Sequence, residues 1–419
     1  MATTTAKVFT QTATTPIDEL DRWEQVGEEE AKLVYEMTLN NELSGGTEQV
    51  RLFEDEWREF TGLKHAVTVC NGTVSLWSAM YGVGVGPGDE VIAPVNTWIC
   101  TISPAMMLGA KPVLADTAPN SPLMDPDDVR RRITSRTKAI IPVHLWGWVC
   151  DMDEYMKISE EFGIPIIEDC SHAHGSKYDG RITGSIGHVG VWSAQGSKAL
   201  SMGEGGIIAT NDDEIIDRAC LLGQCNRVVG LDLVTETYAK YQPLGLGIKF
   251  RSHPLGVGIG RIQFKKLDKL NAGRTKWVES IEAGLADIPC LEPIPTSPKS
   301  ERGGFYGFPV LFNPEKANGV TRNEFSAALA KNNCPATDRG YGLLSELPIF
   351  NEGMDIYGGD RGPLSASEGY VGQTNADFPN AVKFCDDSIY LPRLTEPVDG
   401  AVEEVLRRIK ETCESLGIR

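Results

Sequence analysis

The chain has 419 residues, with 40 lysines and arginines against 58 aspartates and glutamates, a formal net charge of −18. That balance excludes a nucleic-acid binder working through clustered cations on phosphates. A hydrophobic share of 41% and a charged share of 23% are those of a soluble globular protein, long enough for two domains that share an interface.

Residues 1–15, MATTTAKVFTQTATT, are rich in threonine and lack the apolar stretch of a signal peptide. Residues 17–39 read as a helix, within an N-terminal segment 1–45 expected to pack on a smaller domain or on a second copy. From there helices and strands alternate: helix 48–62, strand 65–71, helix 73–84, strand 89–95, helix 98–110 and strand 111–116. Helix 125–133, strand 138–145, helix 151–163 and strand 164–170 continue the series. Alternation with short connections implies parallel βαβ units. Strands 188–195 and 205–211 complete a mainly parallel seven-stranded sheet between helices, in a large α/β domain of residues 46–290. Residues 291–419 read as a smaller α+β domain, with strand 304–313, helix 321–333 and a terminal amphipathic helix 402–417. Two stretches, 225–247 and 351–379, read as long loops, which in a compact chain usually carry function.

No apolar run approaches the ~20 residues of a membrane helix. Ten cysteines are scattered without a CxxC pair or a zinc spacing. They read as reduced thiols in a cytoplasmic protein with no metal site and no membrane contact.

Ligands of an open parallel sheet bind beyond the carboxyl ends of its strands. Three candidate groups fall there. Gly72 and Thr73 follow a strand and open a helix, so their free N–H groups attract a phosphate; alone, they also fit a plain capped turn. Asp169 ends a wholly apolar strand, where a carboxylate is costly unless it meets a cation, and His172 follows three residues later. Each of these, alone, also fits a side chain satisfied by its local turn. Lys198 lies in SAQGSKALSMGEGG, residues 193–206, among small residues that give its stem no apolar surface to cover. Burial there lowers the amine's pKa and frees a nucleophile fit for a Schiff base, whereas a lysine taken at random is a solvated one. Together the three suit one ligand, a phosphorylated pyridine aldehyde. Its phosphate would meet Gly72, Thr73 and Ser193, its ring nitrogen Asp169 and its aldehyde carbon Lys198, with Trp98 flat against the ring.

The segments NGTVSLWSA, DEVIAPVNTW, KPVLAD, EDCSHAHG and SAQGSKALSMGEGGIIATND resemble the DegT/DnrJ/EryC1/StrS aminotransferases. The similarity runs from about residue 40 to 275 and resumes near the C-terminus. The resemblance implies a fold-type I enzyme using pyridoxal 5'-phosphate. It implies Lys198 bonded to the cofactor and Asp169 on the pyridinium nitrogen as catalytic residues. His172 is implied beside the ring, Gly72, Thr73 and Ser193 at the phosphate, and Trp98 stacked. The family's Gly-Tyr-Asn-Tyr-Arg segment, whose Asn reaches the neighbouring subunit's phosphate, here reads GIKFRSHPLG. Lys249 stands where Asn is expected, a charge that can pair with phosphate. Arg251, Arg339 and Tyr341 are candidate substrate contacts.

The implied reaction is ping-pong transfer from L-glutamate or L-glutamine to a keto-sugar or keto-cyclitol through pyridoxamine 5'-phosphate. It would serve amino-sugar or aminocyclitol biosynthesis of the antibiotic kind, in a homodimer with shared active sites. Family dehydratases carry His at the position of Lys198, so the lysine favours transamination. Two rivals stand beside it: an eliminating or aromatising enzyme like the aminohydroxybenzoate synthases, which share DMD and HAHG, and a non-catalytic pyridoxal-phosphate-binding sugar sensor.

Overall fold

The computed structural model describes residues 16–228, 233–337 and 340–419. Seven short strands form its main sheet: β1 His65–Val69, β2 Glu90–Pro94, β3 Lys111–Ala115, β4 Thr137–Ile140, β5 Ile167–Asp169, β6 Val189–Ser193 and β7 Gly206–Thr210. Their order is β1-β7-β6-β5-β4-β2-β3. β7 runs antiparallel to both neighbours, and every other pairing is parallel. Between β4 and β5 the ladder is carried past the regular strand ends: Ile140 bridges Ile166, Val143 bridges Asp169, and the Asp169 N–H donates to Pro142 O at 3.0 Å. The strands are buried nearly throughout, as expected of a sheet covered on both faces.

The helices that matter to the site sit against this sheet. α1 is Glu28–Leu39, α2 Glu48–Thr61, α3 Gly72–Gly82, α4 Ser103–Met107, α5 Pro126–Arg132, α6 Met152–Phe162 and α7 Asp213–Gly223. α3 starts three residues after the end of β1 and packs on β6, β7 and α7, which brings its N-terminus to the sheet's carboxyl edge.

Four expectations are revised in detail. The helix expected over 17–39 is a 3-10 turn, Ile17–Leu20, then extended chain, then α1 from Glu28. Gly27 starts that helix, its N–H donating to Glu30 Oε2 at 3.0 Å. The helix expected over 98–110 splits into a 3-10 turn, Ile99–Thr101, and the five-residue α4, because Pro104 cannot continue the preceding ladder. The 225–247 stretch holds a short helix, Glu236–Ala239, with residues 229–232 outside the described set. No element was expected over 254–284, yet α8, Pro254–Gly284, is a 31-residue helix. Its glycines read as breakers but serve close approach. A Cβ on Gly258 would lie 2.6 Å from Met37 Sδ, and one on Gly273 2.2 Å from Thr395 O.

A second, antiparallel sheet holds β8 Leu291–Glu292, β9 Pro309–Phe312 and β10 Ser388–Tyr390, in that order. α9 Arg322–Lys331 and α10 Ala401–Ser415 pack with it around Phe312, Phe325, Ile389, Val405 and Ile409. The same core continues into Val143, Trp146 and Trp277 below the main sheet's edge. The 351–379 stretch turns away from that sheet: Gln373 accepts from Leu114 N at 2.8 Å and donates to Pro112 O, fixing it along β3. Among the described residues, no helix is long and apolar enough to cross a membrane.

Candidate active site

At the carboxyl edge of the main sheet lies a cavity of about 390 Å³, within the size range of small-molecule sites. Gly72, Thr73, Trp98, Asp169, His172, Ser193, Lys198 and Tyr341 all line it. These positions, scattered over 270 residues of sequence, meet because β1, β2, β5 and β6 all end on that edge.

Lys198 sits on the loop between β6 and β7. The loop is tied down by Lys198 N–H to Gln195 O at 2.9 Å and by Ala194 N–H to Gly205 O at 2.8 Å. The Gln25 side chain, from the N-terminal segment, donates to Gly196 O. Lys198 is 9% exposed. Burial pulls its amine from the ordinary 10.5 down to about 8, against the opposing pull of Asp169.

Asp169, at the end of β5, is 3% exposed. Its carboxylate accepts from Thr101 Oγ1 at 3.0 Å and from Ser171 N–H at 3.1 Å. Thr101 is in turn hydrogen-bonded to Thr97, Oγ1 to Oγ1 at 2.9 Å. No lysine or arginine among the described residues is ion-paired with Asp169, so a buried carboxylate faces the cavity with two neutral donors. A buried anion in that state is costly until a cation arrives.

His172 is held in one tautomer. Its Nδ1 accepts from Trp146 N–H at 3.3 Å, so Nε2 carries the proton and points toward Tyr341 Oη, 3.3 Å away. Burial and the nearby Lys198 hold the ring neutral, well below the usual histidine range. The opening of α3 supplies the opposite end of the cavity. Asn71 caps the helix by accepting from Val74 N–H at 3.0 Å, and Ser75 N–H returns to Asn71 O. That leaves the N–H groups of Gly72 and Thr73 beside the Ser193 hydroxyl as ready anion donors. Gly72 has no room for a side chain: a Cβ would lie 2.6 Å from Ser193 Cβ.

Trp98 stands at the rim, 55% exposed, its ring 5.4 Å from that of Tyr341. Lys249 and Arg251 do not line this chain's cavity. Lys249 is exposed, its backbone bridged to Gln224; Arg251 is half-buried, its backbone bridged to Val69 and its side chain beside Gly45. Arg339 lies outside the described residues.

Sequence reasoning passed over Thr101, Trp146 and Tyr306. Thr101 follows Trp98 by three residues, within reach of the same strand end. Tyr306 lies in RGGFYGF, where a run of glycines around one tyrosine is a close-approach signal. Trp146 and Gly147 take left-handed backbone, with φ of 62° and 101°. Nothing in LWGW announces that. The triad His144, Glu168 and Cys170 comes together behind β5. Its donors are occupied: His144 Nδ1 accepts from Cys150 N–H, and Glu168 accepts from His144 and from the N–H groups of Gly184, Ile186 and Gly187.

The model of the DegT/DnrJ/EryC1/StrS aminotransferase family matches residues 24–360. The spore coat polysaccharide biosynthesis protein SpsC of Bacillus subtilis (strain 168) is 30% identical over 388 residues, 92% of this chain and 95% of that protein. The putative L-glutamine:3-amino-2,3-dideoxy-scyllo-inosose aminotransferase of Streptoalloteichus tenebrarius is 35% identical over 280 residues, 67% of this chain and 66% of that protein. The structure of an aminotransferase from Psychrobacter cryohalolentis superposes with a TM-score of 0.82 at 25% identity, covering 95% of this chain and 100% of that one. The chain therefore belongs to the DegT/DnrJ/EryC1/StrS aminotransferase family, with the α/β architecture of the fold-type I aminotransferases.

Proposed function

We propose that this aminotransferase uses pyridoxal 5'-phosphate to move an amino group from L-glutamine or L-glutamate to a keto-cyclitol or keto-sugar. The observation that carries the reading is the buried Asp169 carboxylate, ion-paired with no lysine or arginine among the described residues and facing the same cavity as the depressed Lys198 amine. A flat ring with a protonated nitrogen would give Asp169 a cation, and an aldehyde would give the amine its partner. The residues present fit the rest of such a group. Gly72, Thr73 and Ser193 would hold its phosphate, the His172 Nε2–H would donate to its ring hydroxyl oxygen, and Trp98 would close over its face. When bound, the group supplies an electron sink for the pair left on the donor's α-carbon.

The protein's own part is binding and proton transfer. Lys198, with a pKa of about 8, is a free base often enough near neutrality to take the α-proton and return it, as general base and acid. Asp169, held by Thr101 and Ser171 N–H, would face the ring nitrogen. Tyr306 and Tyr341 line the cavity beside His172, backed by Trp146, and limit water there.

Lys249, exposed and outside this chain's cavity, is read as serving a second copy. It projects from a stretch with Tyr241, Leu244, Leu246 and Ile248 all exposed, an apolar patch that favours a homodimer with shared sites. The similarity to a putative L-glutamine:inosose aminotransferase favours L-glutamine and a cyclitol within the wider class. The test is a half-reaction with L-glutamine, followed by the cofactor's absorbance and by keto-acid release, then a panel of inososes and keto-sugars against the aminated form. Absence of keto-acid release would point to the sensor and sink this reading.

A further inference from the structure

Tyr306 comes from far along the chain to sit over the amine. Its ring centroid is 3.8 Å from Lys198 Nζ. The same ring stacks on His172 at 4.2 Å and 19°, and lies parallel to Trp146 at 5.9 Å and 3°. Its hydroxyl is 3.0 Å from Ser197 Oγ, on the residue next to the lysine.

The segment that delivers this ring is cleared for it. A Cβ on Gly304 would lie 2.7 Å from His172 O, and one on Gly307 2.7 Å from the Trp146 ring. Phe305 takes a φ of 41°, a conformation that costs energy for a residue with a bulky side chain. Three contacts hold it there: Gly304 N–H to Asn271 Oδ1 at 3.1 Å, the Arg393 guanidinium to Phe305 O, and Phe305 N–H to Gly303 O at 2.8 Å. A tyrosine needed only to fill space would not require a strained, glycine-cleared approach on the backbone of the His172 turn.

We propose that Tyr306 is a positioning residue for Lys198: its ring face holds the ε-ammonium whenever the amine is not bonded to carbon, and keeps it over the reacting centre between proton transfers. The ring's negative face attracts a cation and offers a free amine little, so it acts on the charged form of the lysine. The other titratable groups around that amine among the described residues are Asp169 from β5, Cys100 from the turn after β2, His172 and His174 from the turn after β5, and Glu204 and Tyr341, which line the same cavity. Of these, Asp169 and Cys100 also favour the ammonium, against burial. The proposal rests on the reading of Lys198 as the amine that moves the proton.

The test begins without the cofactor. The apo chain is labelled with trinitrobenzenesulfonate across pH 6 to 10, and Lys198 is followed by peptide mass spectrometry. Tyr306→Leu keeps apolar bulk but removes the ring, so the midpoint of Lys198 labelling falls by roughly half to one pH unit. Tyr306→Phe keeps the ring and leaves the midpoint at the wild-type value. In the half-reaction with L-glutamine, Tyr306→Leu then lowers kcat about tenfold while KM stays within about twofold. Should Tyr306→Leu not fold, Tyr306→Trp carries the test, with a midpoint at or above wild type. An unmoved midpoint in Tyr306→Leu, or a Tyr306→Phe chain that behaves like it, overturns the proposal; the second result would assign the effect to the hydroxyl and Ser197. Because labelling needs no turnover, a chain that titrates as stated yet releases no keto acid would refute the enzymatic reading and leave this contact standing.

Discussion

Thr101 Oγ1 lies 3.0 Å from Asp169 Oδ2, and Thr97 stands behind it at 2.9 Å. Among the described residues, the carboxylate is aimed by a relay of two hydroxyls and paired with no lysine or arginine. A hydrogen bond to an ionised acceptor contributes about 1.5–3 kcal/mol. Thr101→Val removes it and is expected to slow the half-reaction by roughly tenfold to a hundredfold with the fold intact. Asp169→Asn is the sharper change. It abolishes keto-acid release, yet the apo chain melts no lower than wild type, because an amide there costs less to bury than a lone carboxylate. Calorimetry beside the half-reaction assay separates the two effects. An Asp169→Asn chain that still turns over would refute the role given to the carboxylate.

Gly72 and Ser193 leave no space between them. Gly72→Ala puts a methyl 2.6 Å from Ser193 Cβ, so either the start of α3 or the end of β6 has to move. Both carry proposed phosphate donors. The expected outcome is a cofactor affinity weakened by about tenfold to a hundredfold, with Lys198 labelling by trinitrobenzenesulfonate unchanged. Fluorescence titration with pyridoxal 5'-phosphate measures the first, and unchanged affinity would remove Gly72 from the cradle.

Some of this molecule can be read from its sequence because the cause is local. Apolar runs such as VTV, VIA and PIIE, separated by helical periods and short turns, can bury themselves only as a covered parallel sheet. Once the sheet is granted, Asp169, Gly72 and Ser193 fall on its carboxyl edge by strand direction alone. The remainder depends on contacts that no local pattern encodes. The glycines of α8 look like helix breakers until Met37 and Thr395 are seen pressed against them. Tyr306 reaches Lys198 across 108 positions of chain, through a backbone held by Arg393 and Asn271. The 351–379 stretch, read only as a long loop, is fastened along β3 by Gln373, a contact between residues 259 positions apart that no local pattern encodes.

Stability should respond to pH through Lys198. Its folded pKa, about 8, lies below the ordinary 10.5, so between those values the unfolded chain holds a proton that the folded chain has lost. Stability contributed by this group therefore rises with pH across that window, by on the order of 3 kcal/mol in full. Below about pH 8 the buried ammonium costs its whole share. Lys198→Met removes the group. Urea unfolding of the apo chain at pH 7.5 and pH 10 should show the wild type gaining on the Met variant by a few kcal/mol. Parallel curves for the two chains would mean that the amine is not depressed.

Lys249 lies outside its own chain's cavity, on an exposed stretch flanked by Leu246, Ile248 and a half-buried Phe250. If it reaches the phosphate of a second copy, the two halves of a site come from different chains. Lys198→Ala and Lys249→Ala are then each nearly inactive as homodimers, the first by loss of the amine and the second by weakened cofactor binding. Co-expressed together, half of the dimers are mixed. Each mixed dimer holds one site with both lysines intact and one site with neither. Activity should therefore return to about one quarter of wild type. A co-expressed sample no more active than the two parents averaged would mean that Lys249 does not act across subunits.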